Sequence, residues 1–87
     1  MHGAYSPSRP AGHVHALERV QMVASWYTGR IEQEHDAALP DQELLEELLD
    51  GLRRCLADQR VLPSSDPAQV ARIAADYAAL YRELRGR

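Results

Sequence analysis

PDQELLEELLDGLRRCLADQRVLPSSDPAQV, residues 40–70, holds a helix start, a helix, a helix stop and the start of another helix. Leu44, Leu45, Leu48, Leu49, Leu52, Cys55 and Leu56 fall within an arc of roughly 140° when laid out at about 100° per residue. That predicts a helix over about 41–61. Pro40 and the acids after it suit the first turn, which faces the positive end of the helix dipole. Glu43, Glu46, Glu47 and Asp50 come early, while Arg53, Arg54 and Arg60 come late, as the dipole favours. Asp50 and Arg54 are spaced for an i,i+4 pair worth about 0.3–0.5 kcal/mol. An apolar arc this wide can serve two neighbours, so this helix is expected at the centre of the core. Gly51 sits beside the arc, where a missing side chain permits close approach.

Pro63 stops that helix. Asp66 is a good N-cap, Pro67 suits the first helical position, and Gln69 completes a variant capping box. A further helix follows over about 67–84, with Val70, Ile73, Tyr77, Leu80 and Leu84 spaced 3, 4, 3, 4. Upstream, Leu17, Val20, Ala24, Tyr27 and Ile31 repeat that spacing and predict a helix over about 13–38. Gly29 interrupts it at a cost of roughly 1 kcal/mol relative to Ala, but Ile31 keeps the register. Residues 1–12 carry two Pro, two Gly and two Ser and read as a flexible arm. No stretch alternates with the period of a strand. The expected fold is all-α: a three-helix antiparallel bundle spanning 13–87, with short connections.

The chain has 87 residues, and a domain this small buries only about 60–65% of its unfolded surface. A lone copy is therefore marginal, which favours a homo-oligomer, a dimer being the simplest. Thirteen acids against ten basic residues leave a net charge of −3, too little positive charge for general binding to a phosphate backbone. All ten basic residues are Arg, and the Arg- and Ala-heavy usage resembles coding from a GC-rich bacterial genome. The single cysteine, Cys55, allows no internal disulfide and suits a reducing cytoplasm. The N-terminus lacks the apolar core of a signal peptide, and no run of apolar residues is long enough to span a membrane.

Candidate chemistry is sparse. Glu32 and His35 stand three apart, the spacing of Glu-x-x-His in di-iron and di-manganese carboxylate sites. Glu34 falls on the apolar side of the same helix, so a dimer using Glu32, Glu34 and His35 from each chain is a metal-binding alternative, with iron or manganese as cofactor. His13 and His15, with His2, match no specific zinc spacing. Cys55 aligns with the leucines and reads as a small buried hydrophobe. Tyr77 and Tyr81 lie inside the third stripe, where a buried phenol needs a partner. Arg72, Arg82, Arg85 and Arg87 on or beyond the third helix allow a third reading, a DNA-binding dimer. The link before that helix is too long for a helix-turn-helix, however, and its first turn reads DPAQV.

Trp26 stands apart. It projects roughly 120° from the stripe of the first helix at about 100° per residue. Met22 lies one turn earlier, Val23 is beside it and Arg30 is one turn later. Aromatic, adaptable Met and rim Arg together are what interfaces favour, so Met22, Val23, Trp26 and Arg30 are the expected docking face. The function expected from the sequence is that of a small non-catalytic accessory or regulatory protein that binds protein, its own copies included.

Overall fold

A computed structural model gives the fold and describes residues 11–87. It is all-α, with three helices and, among the described residues, no strand. They are α1 (Ala11–His35), α2 (Gln42–Val61) and α3 (Pro67–Arg85), with a short 3-10 turn at Leu62–Ser64 between the last two. Glu34 meets Asp41 and Tyr27 meets Gly51, so α1 and α2 run antiparallel. Tyr77 meets Asp58, and Leu44 shares a cleft with Leu84, so α3 runs antiparallel to α2. Residues 1–10 of the expected arm lie outside the described residues, while Ala11 and Gly12 belong to α1.

Local chemistry sets the boundaries. Asp41 is in extended backbone and its side chain accepts the Leu44 N–H at 3.1 Å, capping α2. Asp66 caps α3 likewise, accepting the Gln69 N–H at 2.8 Å, and Pro67 occupies the first turn. Helix α1 runs unbroken through Gly29 and stops at His35, three residues before the expected end. There the Glu34 carboxylate reaches across the turn and accepts the Asp41 N–H at 2.9 Å. The chain is thereby pulled into the connection before Pro40. On α2, Asp50 pairs with Arg53 at 2.7 Å rather than with Arg54. Both side chains are largely exposed, and the pair adds little to stability.

The centre of the bundle is α1, not α2. It lies close to both other helices, whereas the backbones of α2 and α3 hardly approach each other. The consequence is a wider apolar arc on α1 than its most regular stripe suggests. Ala16, Val20 and Val23 are fully buried, and Leu17, Ala24, Trp26 and Tyr27 pack against them. Leu17 and Trp26 are about 180° apart at about 100° per residue, so half of the helix circumference is in use. Val23, expected on the docking face, is 0% exposed and belongs to the core. On α2 the burial falls on Leu45, Leu48, Gly51 and Cys55, and Leu56 is left exposed. Helix α3 contributes Val70, Ile73, Tyr77 and Leu84.

Two close fits tie the helices together. The Tyr27 ring lies directly on Gly51, and a methyl built there would overlap the ring and stand 2.7 Å from its oxygen. Across the bundle, the Tyr77 hydroxyl donates to Asp58 Oδ2 at 2.6 Å and bridges the wider gap between α3 and α2. Burial, and then this hydrogen bond, push the Tyr77 phenol far above its ordinary pKa. Burial likewise raises the Tyr27 phenol and the Cys55 thiol, the latter despite the neighbouring Tyr77 hydroxyl, which acts the other way.

These fits predict opposite outcomes for two glycines. Gly29→Ala meets nothing within 4 Å and should stabilise the chain by about 0.5–1 kcal/mol in urea unfolding. Gly51→Ala should destabilise it by about 1–3 kcal/mol, because the added methyl displaces the Tyr27 ring. Alkali should weaken the fold as well. The three raised acids stay protonated longer in the folded chain than in the open one, so their contribution is whole below about pH 9 and lost above it. Urea midpoints should therefore fall from about pH 9 upward, and less steeply in Tyr77→Phe, which also loses about 1 kcal/mol at neutral pH. A midpoint that holds steady or rises in alkali contradicts this.

Candidate interaction site

At the end of the bundle that carries the α1–α2 connection, the three helices leave a small cleft. Trp26 and Arg30 come from α1, Leu44 and Leu48 from the first half of α2, and Leu84, Arg85 and Arg87 from the end of α3 and beyond. Its volume is about 200 Å³. Leu48 and Leu84 are buried and form the apolar floor. Trp26 is half-buried and stands edge-on to Tyr27, with ring centroids 5.4 Å apart and planes at 84°. That contact holds the indole through a ring already locked against Gly51, so its direction is fixed from inside the core.

Three guanidiniums stand around this floor. Arg30 sits 5.8 Å from the Trp26 ring centroid, within reach of a cation–π contact, and also donates to Gln33 Oε1 at 3.1 Å. Arg85 lies over the Tyr81 ring at 5.3 Å. Arg87 has only a long, exposed contact to Glu83, at 4.0 Å. No Asp or Glu side chain lines the cleft among the described residues, although Glu83 stands 4.0 Å from Arg87. Local charge is therefore positive although the chain is acidic overall, and low-dielectric walls concentrate such a field. A group that complements the site is an apolar side chain accompanied by acids.

No protein-family model matches the chain, and no curated protein or solved structure is significantly similar to it.

Of the four residues expected to form a docking face, the fold brings together two. Trp26 and Arg30 share the cleft, Val23 lies inside the core, and Met22 points to another side of α1. Met22 is 44% exposed and borders a shallow surface with Glu18, Gln21 and Ser25. The cause is the central place of α1. Packing of α3 against one flank covers Val23 and half-covers Trp26, but stops short of Met22. Leu44, Leu48, Leu84, Arg85 and Arg87 were not singled out as partners of Trp26. The available signal was the width of the α2 stripe, which extends to Leu44, and the Arg cluster ending α3.

Within one chain the metal candidates form no ligand group among the described residues. Glu32 and His35 are exposed, and the Glu34 carboxylate is engaged with the Asp41 backbone, holding the loop. Among the described residues, no three His, Cys, Asp or Glu side chains are grouped to hold a metal ion within one chain. His13 and His15 border an apolar groove of about 490 Å³ between the starts of α1 and α3, lined also by Pro67, Val70 and Ala74. His2 lies outside the described residues. No described helix is long and apolar enough to cross a membrane.

The electropositive setting of the only tryptophan is measurable by quenching. In dilute protein, iodide should quench Trp26 emission more strongly relative to caesium than it does for a free tryptophan amide. Arg30→Gln with Arg85→Gln should remove most of that excess. An iodide-to-caesium quenching ratio no higher than that of the free amide contradicts the placement of the guanidiniums.

Proposed function

We propose that this chain is a non-catalytic accessory or regulatory protein that acts by binding protein, its own copies included. The observation that carries the reading is the cleft: a fixed, half-exposed indole over leucines, ringed by three guanidiniums, with no Asp or Glu side chain in its lining. Rigid aromatic anchors with Arg at the rim are the features that concentrate binding energy at protein interfaces. The volume argues in the same direction. About 200 Å³ falls below the roughly 300–1,000 Å³ of most small-molecule sites and suits a single inserted side chain.

The groups with nucleophilic or acid–base potential support a non-catalytic role. Cys55 is buried with its thiol pushed up, away from the thiolate that a nucleophile needs. Tyr77 is buried, holds its proton firmly and gives its hydrogen bond to Asp58. Both serve packing between α2 and α3. The metal-binding alternative loses Glu34 to the loop, and the three cleft Arg gather at one end of the bundle instead of following a duplex groove.

Solution mass against concentration tests the reading. The average mass should rise above one chain as concentration increases, and the melting temperature should rise with it. Trp26→Ala should shift the mass toward one chain, and Arg85→Glu should do the same without touching the core. A parent protein whose mass and melting are independent of concentration contradicts self-association.

A further inference from the structure

Leu39 is the most exposed large hydrophobic side chain among the described residues. It is 90% exposed, against 40–48% for the others. It stands in the α1–α2 connection, just before Pro40, which disfavours helical backbone there. The connection is braced as well, since the Glu34 carboxylate holds the Asp41 N–H and Asp41 caps α2. An apolar side chain is thus presented on a restrained loop rather than on a loose one. Asp36, Asp41 and Glu43 flank it in the sequence and are all exposed.

The loop and the cleft are chemical opposites. One is a leucine among acids, and the other is an apolar hollow of about 200 Å³ among Arg30, Arg85 and Arg87. They are also neighbours. Arg30 lies just over one helical turn before the end of α1, and Leu44 is in the first turn of α2. Leu39 nevertheless does not fill the cleft of its own chain, as its exposure shows.

Resting on the proposed protein-binding role, we infer that the cleft's occupant is Leu39 of a second copy of this chain. Leu39 from each copy enters the other's cleft, and Asp36, Asp41 and Glu43 face the opposing guanidiniums. Because knob and hollow sit at the same end of the molecule, one two-fold axis satisfies both contacts at once. The result is a closed dimer with the bundles end to end, not an open filament. Each guanidinium meets a carboxylate while the leucine excludes water, so a charge-poor floor and a charged rim are matched on both sides.

The test uses two complementary variants of the full chain, followed by sedimentation. Leu39→Asp keeps the cleft and loses the knob. Arg85→Glu with Arg87→Glu keeps the knob and reverses the rim. All three substituted side chains are exposed, so helicity and melting at low concentration should match the parent. The parent should dimerise, and each variant alone should have its dissociation constant raised at least roughly tenfold. Parent dimerisation should also weaken with salt. If either variant dimerises like the parent, the inference is overturned while self-association itself stands. A parent that stays at one chain at every concentration overturns both.

Discussion

Helix α1 must bury two flanks at once, and most of the molecule follows from that demand. Helices α2 and α3 lean on it from either side and scarcely meet through their backbones. Val23 can then be 0% exposed while Leu17, about 120° round the helix, is also packed. The gap left between α2 and α3 is filled from the outer helices by Cys55 and the Tyr77–Asp58 bridge, and from the centre by Tyr27. Gly51 is what lets the Tyr27 ring enter. Trp26, one position earlier, is carried to the edge of the same packed region, where cover from α3 runs out.

Much of the fold was legible because punctuation in this chain is strong. Asp66, Pro67 and Pro63 mark the α2–α3 junction without ambiguity, and Asp41 and Pro40 mark the α1–α2 junction. Each acts through its own backbone, so no knowledge of tertiary contacts is needed. Which helix sits in the middle was not legible in the same way. Stripe width pointed to α2, whose leucines are numerous, but Leu56 remains exposed and Leu49 and Leu52 are only half-buried. Small residues conceal burial from such counting. Ala16 is fully buried on α1, and Gly51 has no side chain to count at all. Glu34 shows a related limit. Its place on the apolar side of α1 suggests ligation, yet its partner is a backbone N–H seven residues on, across a turn that periodicity does not describe.

The candidate site was half legible for the same reason. Trp26 and Arg30 are one helical turn apart on a single helix, and their pairing needs only helical geometry. Their companions come from the far ends of α2 and α3 and depend on the antiparallel arrangement. Once those are in place, an acidic protein acquires a local positive hollow, and its loop supplies an exposed leucine among acids. Interior and exterior thus divide the work. Inside, the Tyr27 and Tyr77 side chains and Cys55 pack the helices together. Outside, the Arg-lined cleft and the exposed Leu39 are the features on which the proposed contact rests. A small core with little stability to spare gains from such contact by mass action.

The most direct measurement is an isotope-filtered NOE experiment on mixed labelled and unlabelled protein, reading the neighbours of the Trp26 indole within and between chains. The account predicts methyl contacts to Leu48 or Leu84 of the same chain and to Leu39 of the other. An indole in the associated protein whose between-chain neighbours do not include Leu39 would contradict it.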